Sequence, residues 1–428
     1  MNSFRHDELS RRDFVTAAAF GFLGLSLPGN PAFAADAVQS PVSARAKPAK
    51  SIIYLWMGGG MSHLDTFDPK PDKPEQMGAT RTITDKKTGL QFGHHLNRIA
   101  AHADILCPVR SLNTTQGAHE QGTYIMHSSY AMRGTVQHPH FGAWFTRLAG
   151  RLNPTLPPYV RVNGGRGLGA GWMGQEFAAL PINDPAAGLQ YSKRQADVPE
   201  DRFQDRLHLL DEMNKDFLAR HPDDELVARM KSYEDAVRLM KSEDLKAFDI
   251  MSEDAKLRSS YGSHAFGKGC LLARRLVEKG TRFVEVSLGG WDMHNDIAEG
   301  MEKNGEILDQ ALGTLLTDLR SRGLLDSTLV VVASEFGRTP EISGRAGRDH
   351  YPKAFSCLLA GGGVKGGQAW GATDPQGREV VDKSMGVTDF NATLAYACGI
   401  DHTKVIVSGN GRPFQIADKG QPATGLFS

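Results

Sequence analysis

Asp292 and His294 stand two residues apart, directly after Gly289-Gly290-Trp291, at the end of the run Arg282-Phe283-Val284-Glu285-Val286-Ser287-Leu288. A carboxylate and an imidazole released together from a glycine turn can both face one metal ion. Two later segments do something similar, Ala333-Ser334-Glu335 and Arg348-Asp349-His350. The candidate ligands are therefore Asp292, His294, Asp296, Glu335, Asp349 and His350. Mixed carboxylate and imidazole donors suit Zn, Mn or Fe, whereas Ca and Mg favour oxygen alone. Two such ions about 4 Å apart can clamp a phosphoryl or sulfuryl group and ionise a water. Three of the acids have a second reading: Glu335 or Asp349 could orient a histidine, and Asp296 could cap the following helix.

A second constellation, His63 with Asp65 and Asp68, follows Gly58-Gly59-Gly60 and could join the same site or serve only its own loop. His119 falls at a helix start, where the dipole is expected to depress its pKa and keep the ring neutral for ligation. His94, His95, His102, His127, His138 and His140 lie close by, so the choice among them stays open. Gly165-x-Gly167-x-x-Ala170, with Asp184 further on, loosely matches a dinucleotide fingerprint, but Gly171, Gly174 and Pro181 interrupt the helix it requires. Gly361 to Gly367 lacks the Gly-Lys-Ser/Thr ending of a phosphate loop.

The elements that must position these residues follow from periodicity. Ser51-Ile52-Ile53-Tyr54-Leu55-Trp56-Met57 reads as a buried parallel strand. Ile105 to Leu112, Tyr159 to Val162, Phe283 to Leu288, Thr328 to Ala333 and Ala354 to Ala360 read as further strands. A helix capped by Thr or Asn of Asn113-Thr114-Thr115 is expected to run through Tyr124 and Met132. From about 200 to 278 the pattern is helical and reads as an insertion, with Pro222 separating two helices. Leu308, Leu312, Leu315 and Leu319 form one helix face, ended by Gly323, and Asp389 to Ala397 is a late helix. Phe283 to Ala333 is thus a strand-helix-strand unit with parallel strands. In an open parallel sheet, ligands bind beyond the carboxyl ends of the strands, where these acid and histidine clusters fall.

The chain has 428 residues, 40% hydrophobic and 23% charged, and zero formal net charge, which gives no footprint for nucleic acid. Ser10-Arg11-Arg12-Asp13-Phe14 precedes an apolar run from Thr16 to Leu27 and then Ala32-Phe33-Ala34, a twin-arginine signal with its cleavage site. Residues 1–34 are therefore expected to be a signal peptide, 35–49 a flexible leader, and 50–428 the folded domain. The apolar run falls short of the roughly 20 residues of a membrane span. The mature chain is expected to be periplasmic or secreted, with the twin-arginine machinery as an export partner and no membrane span. Cys107, Cys270, Cys357 and Cys398 are widely spaced among apolar neighbours, which suits buried thiols, although one or two disulfides could form after export.

Four segments together resemble the exported proteins of domain-of-unknown-function family 1501, related to the alkaline phosphatase and sulfatase superfamily. They are Gly58 to Lys70 (Gly-Gly-Gly-Met-Ser-His-Leu-Asp-Thr-Phe-Asp-Pro-Lys), Gly289 to His294, Ser334 to Pro340 (Ser-Glu-Phe-Gly-Arg-Thr-Pro) and Gly347 to His350. The resemblance implies an α/β three-layer sandwich of alkaline-phosphatase type, its mostly parallel sheet flanked by helices. It implies a divalent metal (Zn, Mn or Ca) held by Asp65, Asp292, His294, Glu335, Asp349 and His350. Thr114, Thr115 and His119 stand where sulfatases carry the modified nucleophile, and the Cys/Ser-x-Pro-x-Arg motif of those enzymes is missing, so either a metal-bound water or Thr115 would attack. Arg338 or Arg348 would steady an anion. The function implied is hydrolysis of a phosphate or sulfate ester of a small molecule or glycan, with a catalytically degenerate ligand-binding protein as the alternative.

Overall fold

Strand β1, Ser51–Met57, is buried along its whole length. Its side chains alternate between two cores: Ile53, Leu55 and Met57 enter one, and Ile52, Tyr54 and Trp56 enter the other. A strand that is apolar on both faces needs a layer of helices on each. The computed structural model describes residues 47–164, 168–194, 196–221 and 224–428. The twin-arginine segment and its cleavage site, Gly165 and Gly167 of the glycine fingerprint, and Pro222 lie outside the described residues.

The other strands of the main sheet are β2 Leu106–Asn113, β3 Tyr159–Val162, β4 Leu180–Ile182, β5 Phe283–Leu288, β6 Thr328–Ala333, β7 Phe355–Gly361 and β8 Met385–Gly386. The eight lie in the order β8-β2-β7-β6-β1-β5-β3-β4. β6, β1, β5, β3 and β4 run parallel, while β7 is antiparallel to both β2 and β6. The protein is therefore an α/β sandwich with a mostly parallel central sheet. β5 and β6 are parallel, as the strand-helix-strand pattern requires, and β1 lies between them.

Helices α1 His119–Ser128, α2 Phe141–Ala149, α3 Glu200–Arg220, α4 Asp224–Met240, α5 Ala265–Glu278, α6 Ile297–Ser321 and α7 Val387–Ala397 complete the principal elements. α5 and α6 pack on one face of the sheet, with Leu308, Leu312, Leu315 and Leu319 fully buried. Residues of α1, α2 and α7 pack on the other. α1 differs from expectation at both ends. Its N-cap is Ala118, with no capping side chain, and it stops at Ser129 (φ 68°), short of Met132. Asp296 caps α6, its Oδ1 accepting the Glu299 N–H at 3.3 Å. Cys107, Cys270 and Cys357 are buried thiols, and burial pushes the Cys107 thiol up to about 12. No helix among the described residues is long and apolar enough to cross a membrane.

The interior makes the fold acid-labile. Burial pushes His127 from the ordinary 6.5 to about 3, outweighing the pull of Glu285, with His140 and Arg161 adding to the depression. Burial likewise pushes His138 to about 4. Burial alone would raise the Glu285 carboxyl, but Arg161, His140 and His127 hold it well below the carboxylate range. All three folded values lie below the unfolded ones, so the histidine contributions are lost as pH falls below the ordinary 6.5, and the Glu285 contribution only below the ordinary 4.5. The melting temperature is expected to drop by on the order of 5 °C between roughly pH 7 and pH 4. Melting curves that superimpose over that range would contradict these assignments.

Candidate metal centre

β1, β5 and β6 are parallel neighbours, so their carboxyl ends open on one edge of the sheet. Gly58, Gly289 and Ser334 follow them directly. The loops approach so closely that side chains are excluded at their contacts. Gly59 has φ 122°, and a Cβ there would come within 2.5 Å of the Asp292 nitrogen. A Cβ on Gly347 would fall 2.1 Å from the His294 backbone. A two-stranded ladder, His350 opposite Arg338, brings the fourth segment to the same edge.

Four nitrogens converge there on one oxygen, Asp292 Oδ1. His294 Nδ1 lies 2.8 Å away, and His119 Nε2 and His350 Nε2 each lie 3.3 Å away. Arg338 Nη2 donates to the same atom. The imidazole partners define the protons. His119 Nδ1 is 2.7 Å from Glu335 Oε1 and donates to it. His350 Nδ1 donates to the Gly117 carbonyl at 2.8 Å. In the neutral rings both Nε2 atoms therefore carry lone pairs, and these face a carboxylate oxygen. Donor atoms of His119, Asp292 and His350 all lie within 4.8 Å of one another. Three lone pairs pointed together repel unless a proton or cation stands between them, and the donor set fits a divalent ion. A carboxylate and a carbonyl behind the two histidines form the outer shell such a site requires.

Electrostatics keep Asp292 charged and favour a cation facing it. Burial opposes ionisation of Asp292, yet Arg338, His119 and His294 together hold its carboxyl down at about 2. The pKa of His119 is raised, not depressed as its place at a helix start suggests, because the Glu335 hydrogen bond favours the cation more strongly than burial opposes it. Glu335 is 2% exposed and accepts the Gly59 N–H at 2.8 Å as well as the His119 N–H, so it orients a histidine.

The remaining expected residues take other places. Asp349 stands at the rim, its Oδ1 3.7 Å from His294 Nε2 and 3.7 Å from Arg345 Nη2. Asp65 is not brought to the cluster. It is buried, accepting from Arg348 Nε at 2.8 Å, Thr80 Oγ1 at 2.5 Å and Ser62 Oγ at 2.5 Å. Asp68 is likewise internal, held by Lys70 and Thr373. Thr115 is exposed on the loop before α1, its Oγ1 accepting from Gln116 at 3.1 Å.

Arg338 and Arg348, expected to steady an anion, are both turned inward. Arg338 is fully buried and donates to Gly60 O, Gly59 O, Arg348 O and Asp292. Arg348 is fully buried and donates to Asp65, Gln76 O, Thr339 O and Pro340 O. Both guanidiniums tie loops together.

A family model described as "Protein of unknown function (DUF1501)" matches residues 49–427. The chain belongs to that family. No curated protein matches the chain. Among solved structures, the chain is similar to the PsFucS1 sulfatase from Pseudoalteromonas sp., at 12% identity and TM-score 0.37, over 92% of this chain and 72% of that one. It is similar to the alkaline phosphatase of the Antarctic bacterium TAB5, at 12% identity and TM-score 0.33, over 77% and 96%. The lipoteichoic acid synthase LtaP from Listeria monocytogenes aligns at 10% identity and TM-score 0.37, over 91% and 79%. At these scores the likenesses lend no residue roles to this member of the family.

Arg338→Met keeps an apolar stem but withdraws every donor from three carbonyls and one carboxylate. It is expected to destabilise the fold by about 1–3 kcal/mol, the cost of leaving buried acceptors unpaired, Asp292 itself being 47% exposed. Urea unfolding measures this, and a loss below about 1 kcal/mol would show that the guanidinium is not the tie described.

Proposed function

We propose that this protein is an exported, metal-dependent hydrolase-like protein acting on phosphate or sulfate esters of a small molecule or glycan. The observation that carries the reading is the meeting of His119 Nε2, Asp292 Oδ1 and His350 Nε2, with the opposite ring nitrogens already committed to Glu335 and Gly117. These three residues would hold one divalent ion, and two imidazoles with one carboxylate favour Zn or Mn over Ca. Once bound, such an ion polarises an ester oxygen and acidifies a water.

The chain's own residues supply orientation and proton handling. Glu335 and the Gly117 carbonyl fix the two rings, and Arg338 keeps Asp292 charged and in place. His294 lies between the Asp292 and Asp349 carboxylates and is placed to exchange a proton at Nε2. Water would be the nucleophile in this reading. The side chains are open to substrate: His119 is 38% exposed and Asp292 47%. The twin arginines Arg11 and Arg12 and Ala32-Phe33-Ala34 support export to the periplasm or beyond.

A second reading, a metal- or ligand-binding protein without turnover, is favoured by one observation: the guanidiniums of Arg338 and Arg348 are committed internally. Metal analysis of the purified mature protein, followed by assays on aryl phosphates, phosphodiesters and aryl sulfates, separates the two. Near-stoichiometric metal, lost in His119→Ala and His350→Ala, with turnover of one ester class, is the expected outcome. Glu335→Gln should lower metal affinity about 10- to 100-fold, as loss of an outer-shell partner does. Stoichiometric metal without turnover leaves the binding reading, and absence of metal uptake after reconstitution sinks the metal-dependent hydrolase.

A further inference from the structure

Helix α3 has no buried residue along its 21 positions. Its large apolar side chains are open to solvent instead, Leu209 being 58% exposed, Met213 61% and Phe217 47%. α4 covers the helix only in part. A groove runs between the two, lined by Leu207 and Leu210 of α3 and by Met230, Tyr233 and Val237 of α4. Apolar residues scattered singly over a surface need no explanation, but a row of them along one helix does.

The row is symmetric about Leu210. Phe203 and Phe217 stand seven residues either side of it, and Leu207 and Met213 stand three. At about 3.6 residues per turn these five side chains share one face about 120° wide. The charges follow the same centre with opposite signs. Glu200 and Arg220 lie ten residues either side, Asp205 and Lys215 five, and His208 and Glu212 two.

A copy of α3 laid end for end about Leu210 therefore sets Phe203 beside Phe217, Leu207 beside Met213 and Leu210 beside itself. The same operation sets the three acids beside the three basic side chains, and no residue of α3 falls opposite a like charge. Within one chain Lys215 is held by Asp211 at 2.6 Å, and Arg220 by Asp216, both pairs being exposed. Exposed pairs hold weakly, so both cations can be shared with a carboxylate of a second chain. Antiparallel packing also brings each helix N-terminus to the other's C-terminus.

A lipid surface is the other candidate occupant of such a face. α3 carries six Asp and Glu against four Lys and Arg, the reverse of the basic polar face of interfacial helices. We propose that α3 is a self-association surface, through which two copies of this chain pair antiparallel about a two-fold axis at Leu210. The contact is isologous and closes at the dimer. The inference goes beyond the metal-centre reading and does not rest on it.

Sedimentation velocity of the purified mature protein across the micromolar range tests this. The expected result is a species of twice the chain's mass that dissociates on dilution. Leu210→Glu combined with Met213→Glu should leave a monomer whose helical circular dichroism is unchanged, because neither side chain is buried. Asp205→Lys alone, which opposes lysines at both ends of the seam, should weaken pairing on the order of 10-fold, and so should Lys215→Asp alone. The two together should restore it. Positions 205 and 215 are about 15 Å apart along one helix, so that rescue acts only between copies. A monomer at every concentration, a dimer that survives the Leu210 and Met213 substitutions, or charge variants whose losses simply add would overturn the proposal. So would a chain that stays monomeric and binds vesicles of phosphatidylethanolamine and phosphatidylglycerol.

Discussion

One buried guanidinium joins everything at the carboxyl edge of the sheet. Arg338 reaches the carbonyls of Gly59 and Gly60 after β1, the carbonyl of Arg348 across the two-stranded ladder, and the carboxylate of Asp292 after β5. A fully buried cation is tolerable only when most of its donors are matched, and here four of the five N–H groups find acceptors. The positive charge also keeps Asp292 ionised against the cost of partial burial. Without it the loops that bring His119, Asp292 and His350 together would have no common anchor. Arg348 performs the same service one layer deeper, where it neutralises Asp65.

Much of the sheet could be read directly from the chain. β1 and β6 are nearly continuous apolar runs, and a strand buried on both faces leaves that pattern whatever its neighbours are. The position of Asp292 just beyond the end of β5 was legible from the strand and its glycine turn, whereas His350 reaches the same edge through a two-stranded ladder. The pairings were not. Arg348 meets Asp65 across 283 residues of chain, and His119 meets Glu335 across 216, separations over which periodicity says nothing. Arg338 and Arg348 accordingly look like exposed anion-binding groups in sequence and are structural ties in the fold.

Two smaller departures have plain physical causes. α1 was expected to be capped by Thr or Asn of the 113–115 segment, but it begins later, at His119, whose side chain is engaged with Glu335. That engagement also reverses the expected direction of its pKa, because a carboxylate in contact outweighs a helix dipole. Glu285 carried a signal that pattern reading passes over. A carboxylate inside an apolar, fully buried strand must have partners, and they are Arg161, His140 and His127. The histidines between α1 and α2, indistinguishable as candidates in sequence, separate in the structure into one at the open edge and others in the core.

The two histidine-carboxylate clusters differ in the one property that decides what they bind. At the open edge both histidines spend Nδ1–H on oxygen partners and turn lone pairs toward Asp292. In the core His140 spends Nδ1 on a backbone N–H and turns a proton toward Glu285. Composition is nearly the same, and the hydrogen-bond partner behind each ring sets the chemistry in front of it. Diffraction data on either side of the absorption edge of a bound Zn or Mn ion bear most directly on this account. It predicts an anomalous peak at the sheet's carboxyl edge, about 2.0–2.2 Å from His119 Nε2, Asp292 Oδ1 and His350 Nε2. A metal-loaded crystal whose peak lies elsewhere, or that shows none at that edge, would contradict it.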